Sequence, residues 1–528
     1  MNAFWITFSA SIIVLISIAS LPLLNNNNNN YLTIADLLNW RSSSSCLSEE
    51  VADLLVTNGT IYTSDEALPF ADSMAIRNGR ILRVGNYSSI KKLERTWTQE
   101  LNLDGKIVVP GFVDSHVHFI PGGLQMARVS LRGVNTKDLF VDKIRKAVAN
   151  VKQGSWLLGG SWNNDIWGGD LPMASWIDSI TPHNPVWLSR MDGHMGLANT
   201  VALTLAGISR NNENPNDGAI VRNNEGDVYK WADLSGNMMT RVCLFFPMET
   251  WSRLVDLMSK SGRVLSQWIY LGGVKAFADG SLGSNSALFR EPYVDDPNNY
   301  GLQVVDLDDL YNMTLSSDKY GLQVSIHAIG DRANGLILDM YTSLASEKQI
   351  RDRRFRIEHA QHLAPGTVAR FGEQSVIASV QPDHLLDDAD SATKKLGSER
   401  AERGSYLFKS LLTNNAQLAF GSDWPVADIN PLKSIRTSMK RIPPGWEKAW
   451  IPSECLCLKD ALKAYTISAA HACFLDKYVG SLSPGKYADF VVLSTNSWED
   501  FATEVSTDVE ATYIGGSKAY SIRSEDKK

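Results

Sequence analysis

Four histidines and one aspartate stand at the ends of apolar runs of strand length. His116 and His118 close Val-Val-Pro-Gly-Phe-Val-Asp-Ser-His-Val-His, His327 closes Val-Ser-Ile-His, His359 closes Arg-Ile-Glu-His, and Asp423 closes Leu-Ala-Phe-Gly-Ser-Asp. Side chains two apart on a strand point to one face, so His116 and His118 are placed to grip one metal ion together. A single His-x-His is a weak signal, and the recurrence of His or Asp at three later strand ends gives it weight. In a barrel of parallel strands every C-terminal strand end lies at one mouth, where residues far apart in sequence converge. Four imidazoles and a carboxylate suit zinc or another borderline divalent ion with a position left open for water. Lys275 lies inside the apolar run Gly-Gly-Val-Lys-Ala-Phe. Burying an ammonium is costly, so this lysine is paired, neutral or modified, or else faces solvent on an edge strand.

Such residues need strands to carry them. Apolar runs at 156–158, 186–188, 274–277, 322–326, 354–357, 376–380 and 418–420 alternate with longer mixed stretches. That alternation predicts βα units around a parallel sheet. Residues 51–109 read as short strands, with Asn58-Gly59 and Asn78-Gly79 as hairpin turns. A similar texture returns from 480 to 516, and the two ends are predicted to pair.

The chain has 528 residues, 44% hydrophobic and 21% charged, which excludes a disordered or fibrous protein. A net charge of −7 supplies no broad basic surface, so nucleic acid is not an expected partner. The five cysteines are few, odd in number and without Cys-x-x-Cys spacing, which supports neither a disulfide framework nor a thiolate zinc cage. Cys455 and Cys457 read as ordinary thiols. Residues 3–24 carry no formal charge, about the length needed to cross a bilayer. They predict a single N-terminal anchor or a cleaved signal peptide, and hence membrane association or the secretory pathway, in the endoplasmic reticulum or endomembranes. Runs of asparagine at 25–30 and serine at 42–45 mark a linker over 25–50. Asn58, Asn86 and Asn312 begin glycosylation triplets, which discriminate little.

Taken together, Gly-Phe-Val-Asp-Ser-His-Val-His, Gly-Gly-Val-Lys-Ala-Phe-Ala-Asp-Gly-Ser, His-Ala-Ile-Gly-Asp-Arg-Ala, Glu-His-Ala-Gln and Gly-Ser-Asp-Trp-Pro resemble the amidohydrolase superfamily, in its metal-dependent family-three branch. The likeness runs from about residue 50 to 520, and within the branch it extends to a plant member associated with far-red light signalling. The resemblance implies an α/β fold: a distorted (β/α) TIM-like barrel over 107–474, with a small β-sandwich built from 51–106 and 475–528. It implies that His116 and His118 hold one metal, that His327 and His359 hold a second, and that a carboxylated Lys275 bridges them if the centre is binuclear. Asp423 would bind metal and take the proton from the attacking water. Two further segments match the substrate side. Trp162 and Trp167 either wall an apolar pocket or pack in the core, and His194 would steady the substrate carbonyl or the oxyanion.

The interval from Asn199 to Lys275 is short for this branch, because residues 218–226 run almost directly into 238–243. At least one βα unit reads as missing, which would leave unpaired strand edges. The expected activity is hydrolysis of a non-peptide carbon–nitrogen bond in a small amide or N-acyl amine, using one or two divalent ions. The alternative is a catalytically impaired, membrane-associated signalling or scaffold protein of the light-signalling type.

Overall fold

The computed structural model describes residues 50–126, 128–192, 195–205, 240–345, 351–503 and 507–522. The apolar leader, most of the linker, Cys46, His194 and the stretch 218–239 therefore lie outside the described residues. Among the described residues, no helix is long and apolar enough to cross a membrane.

Both ends of the chain contribute to one six-stranded sheet, in which Ile107–Pro110 pairs with Thr60–Tyr62 on one side and antiparallel with Phe490–Leu493 on the other. A second sheet of four strands contains Leu54–Thr57, Ser73–Arg77, Arg80–Gly85 and Gln99–Asn102. The two sheets share a core that includes Val56, Met74, Ile76, Val108, Phe490 and Val492.

The two Asn-Gly dipeptides differ in their outcome. Asn78-Gly79 joins an antiparallel pair with both residues at positive φ, 49° and 73°, the conformation a two-residue hairpin turn requires. Asn58-Gly59 does not make the expected hairpin: Leu54–Thr57 and Thr60–Tyr62 lie in different sheets, and the dipeptide is the crossing between them. Gly59 is needed there because a Cβ would run into Leu103 and the Lys106 carbonyl. Close approach and a tight turn leave the same two letters in the sequence.

A second six-stranded sheet is wholly parallel, with its strands in sequence order: Val242–Pro247, Ile269–Phe277, Gln323–Ala328, Arg356–His359, Ile377–Val380 and Gln417–Phe420. Helices such as Leu307–Lys319, Asp331–Ala345 and His384–Leu396 run between them. Their starts carry helix signals: Asp306 accepts from the Asp308 and Asp309 amides, and Asn430 precedes Pro431 and caps Pro431–Lys440. Val324, Ile326 and Ile357 are fully buried, each worth about 1.5–3 kcal/mol in transfer terms. Val129–Ser130, Leu157–Trp162 and Val186–Arg190 form a smaller parallel sheet, with Gly196–Ala198 antiparallel at its edge.

Among the described residues, Val242–Pro247 has a strand partner on one side only. Its Cys243 is joined by a disulfide to Cys473, across 230 residues of sequence and with Cα atoms 6.7 Å apart. This corrects the expectation from cysteine spacing: the partners come together only when the ladder folds, so no local pattern announces them. Cys455 and Cys457 are free thiols.

Candidate metal centre

The free edge of Gln417–Phe420 is covered by residues 113–118. The Ser115 amide donates to the Phe420 carbonyl at 3.0 Å, the Asp423 amide to the His116 carbonyl at 2.7 Å, and the His118 amide to the Trp424 carbonyl at 2.8 Å. Asp114 fixes the same turn by accepting from the Ser422 amide and hydroxyl. This backbone zipper sets His116 and His118 against Asp423. His116 Nε2 lies 3.3 Å and His118 Nε2 3.2 Å from Asp423 Oδ1.

His359 and Asp423 have φ of 77° and 55°. Positive φ in a residue that is neither glycine nor asparagine is uncommon, and such strain concentrates at functional sites. At His359 it breaks strand alternation, so Glu358 and His359 both reach the His116 ring. The rings of His116 and His359 are 5.0 Å apart, and those of His359 and His327 4.5 Å apart. His116, His359 and Asp423 are buried and offer ligand atoms within 4.8 Å of one another.

Three of these imidazoles have their tautomer fixed from behind. His116 Nδ1 faces the Glu358 carboxylate at 2.6 Å, His359 Nδ1 the Gln381 Oε1 at 2.7 Å, and His327 Nε2 the Gly280 carbonyl at 3.0 Å. Each of those oxygens only accepts, so the facing nitrogen carries the proton and the other nitrogen keeps its lone pair, the arrangement typical of metal-ligating histidines. Asp423 Oδ1 is buried without a hydrogen bond, although two ring nitrogens stand near it. Acceptors that converge without bonding each other suit a cation among them, so the residues fit a divalent metal.

The electrostatics agree. Although burial opposes the charge, Asp423 is held well below the usual carboxylate range by His116 and His118, and Glu358 likewise by Arg356 and His116. For His116, burial and Lys275 work against protonation, yet the Asp423 and Glu358 carboxylates raise its pKa above the ordinary value. Carboxylates that favour a proton there favour a metal cation there too. Burial pulls His359 well below its ordinary value and Lys275 down to about 8. The Glu358 and Asp423 carboxylates oppose that shift, and Lys275 Nζ lies 4.8 Å from the Phe277 ring.

Trp162 is buried in a core cluster, 2% exposed, with its indole N–H donating to the Leu188 carbonyl. That is the packing alternative rather than a pocket wall. Trp167 is half-buried, 6.5 Å from it, and donates to the Asp170 carbonyl. His194 lies outside the described residues. The sequence reading missed Glu358, Gln381 and Arg356. His384 Nε2 makes no hydrogen bond and lies 3.6 Å from Asp423 Oδ2. Glu358 stood next to a proposed ligand, and a carboxylate buried in an apolar strand end was the available signal.

Comparison with known proteins fits this centre. The chain is 56% identical to the Arabidopsis thaliana protein Long After Far-red 3, with 97% of each chain covered. It is 22% identical to an N-substituted formamide deformylase of Arthrobacter pascens, covering 89% of this chain and 99% of that one. An uncharacterised metal-dependent hydrolase from Pyrococcus horikoshii superposes with a TM-score of 0.67 at 26% identity, over 84% of this chain and 97% of its own. The alignment to the Arabidopsis protein spans 579 positions, more than the 528 residues available, so that protein has residues where this chain has none. The amidohydrolase family model matches residues 99–231 and 225–520, in two pieces that meet inside the short interval. By these matches the chain belongs to the amidohydrolase family.

Proposed function

We propose that the protein hydrolyses the non-peptide carbon–nitrogen bond of a small amide or N-acyl amine, with zinc as the preferred metal. The observation that carries this reading is the convergence of His116, His118, His359 and the unbonded Asp423 Oδ1. His116, His118, His327, His359 and Asp423 would hold the metal. When bound, such an ion lowers the pKa of water from about 15.7 to about 7 and polarises the scissile carbonyl. Asp423 takes the proton from the attacking water and passes it to the leaving nitrogen, so that amide plus water gives acid plus amine. His384, beside the second Asp423 oxygen, faces the same proton path. Burial of Lys275 raises the neutral fraction of its amine, the form that adds carbon dioxide, which supports carboxylation and a two-ion centre. We assign His194 to the substrate carbonyl and Trp167 to the pocket wall. The formamide deformylase relative supports an N-acyl substrate.

The domain assignment is the one the sequence suggests: residues 1–24 anchor or signal, 25–50 linker, 51–106 with 475–528 sandwich, and 107–474 barrel. The leader supports residence at a membrane or in the secretory pathway. The break in the family match and the one-sided Val242–Pro247 strand support the loss of one βα unit. That loss favours a second reading, an impaired enzyme kept for partner binding in far-red light signalling. The name of the Arabidopsis relative points the same way.

The purified protein is expected to hold up to about two equivalents of metal. The metal should be lost when His116 and His118 become alanine. Turnover on an N-acyl amine panel should stop with chelator and return with added metal. Folded protein that binds no metal refutes the first reading, and metal-replete protein without turnover selects the second.

A further inference from the structure

Arg190 ends the strand Val186–Arg190, and its side chain is only 3% exposed. Burying a guanidinium is costly unless its donors are met. Here Nε donates to Asn164 Oδ1 at 3.0 Å, Nη2 to Asn163 Oδ1 at 3.0 Å and Asp165 Oδ2 at 2.8 Å, and Nη1 to Asp192 Oδ2 at 2.6 Å. Each carboxylate passes the restraint on. Asp192 Oδ2 also accepts from Ser281 Oγ at 2.6 Å, and the preceding residue, Gly280, supplies the carbonyl that fixes His327. Asp165 Oδ2 also accepts from Ser391 Oγ at 3.2 Å, on the helix His384–Leu396 whose first residue faces Asp423. Gly283 packs directly on the guanidinium, which a Cβ at that position would strike.

We infer that Arg190 is a positioning residue for the metal centre: through Asp192 it sets the turn that orients His327, and through Asp165 it sets the helix that presents His384. One planar fork spans acceptors on two loops, and each carboxylate it holds reaches a further element. A lysine, a point charge, does not reproduce this geometry. The inference deepens the proposed hydrolysis, but its deciding readout needs no substrate.

The test is hydrogen exchange followed by mass spectrometry on the full-length protein, comparing wild type with R190A, D192A and D165A, and with guanidinium added to R190A. D192A is expected to speed exchange about tenfold in 280–287 while leaving 384–396 at the wild-type rate, and D165A to do the reverse. R190A is expected to speed both segments, and guanidinium to restore them. Should R190A fail to fold, the two aspartate variants, which keep Arg190, decide. Exchange that rises uniformly through the domain, including Leu54–Thr57 and Phe490–Leu493, overturns the inference, as does no change in the two named segments. On any amide that turns over, R190A is expected to lower kcat even with metal supplied in excess. A wild type without turnover counts against the proposed hydrolysis, and the exchange pattern still decides the role of Arg190.

Discussion

Replacing Glu358 with glutamine should weaken metal binding without removing a ligand. The side chain is 1% exposed and serves three partners: Oε1 accepts from Ser325 Oγ at 2.5 Å and Arg356 Nε at 2.8 Å, and Oε2 accepts from His116 Nδ1 at 2.6 Å. Glutamine keeps an oxygen for Ser325 and Arg356 but turns an amide N–H toward His116. That group only donates, so Nδ1 must accept and the ring proton moves to Nε2, the atom 3.3 Å from Asp423 Oδ1. The lone pair that faced the centre is then lost. Removing an outer partner of this kind costs about 10–100-fold in metal affinity, or about 1.4–2.7 kcal/mol. A second cost falls on stability, because Arg356, with a 3% exposed side chain, loses its counter-charge, worth about 3–5 kcal/mol when one partner of a buried pair is removed. S325A separates the two effects: it takes one hydrogen bond from the same carboxylate and leaves the charge and tautomer alone. It should cost about 1 kcal/mol of stability and no affinity. Competition for zinc against a chromogenic chelator at neutral pH reads the affinities. Folded E358Q that binds as tightly as wild type, or S325A that binds as weakly as E358Q, refutes the tautomer argument.

Two further outcomes test the packing around the centre. His362 is buried, with Nδ1 2.9 Å from Ser405 Oγ, and burial pulls its pKa from 6.5 down to about 3. The unfolded chain takes up this proton near pH 6.5 and the folded one only near pH 3, so the stability from this group is present above about 6.5 and falls by up to about 1.4 kcal/mol per pH unit below it. His362→Gln should shrink the Tm difference between neutral and mildly acid pH, and equal differences in both proteins refute it. The Cys243–Cys473 disulfide closes a 230-residue span, and its loss should cost about 2–5 kcal/mol. Peptide mapping without reductant should find the linked pair; free thiols at both positions and a Tm indifferent to reductant refute it.

The candidate centre was legible wherever a polar residue interrupts an apolar run. His116, His118, Lys275, His327, His359 and Asp423 stand out in this way, because apolar neighbours make a polar side chain conspicuous, and the structure brings His116, His359 and Asp423 together. The residues that orient them were not legible. Period-two alternation points Glu358 away from the face of His359, and only the positive φ of His359 lets both approach His116. The types Glu-His-Ala do not encode that φ, because histidine adopts it only in a minority of cases and the following alanine, also at positive φ, does not favour it. The tertiary ladder imposes it: residues 113–118 are bound along Gln417–Phe420, and Glu358 is fixed by Arg356 and Ser325 from behind. The same logic separates Asn58-Gly59 from Asn78-Gly79, where a shared local signal was resolved by which sheet each strand joined. Among the described residues, none between Asn199 and Lys275 supplies the orienting contacts described around His116, His359 and Asp423. That interval separates the strand bearing Arg190 from the strand bearing Lys275, so substitutions at 200–205 should leave metal content at the wild-type level, and metal analysis that shows its loss refutes this reasoning.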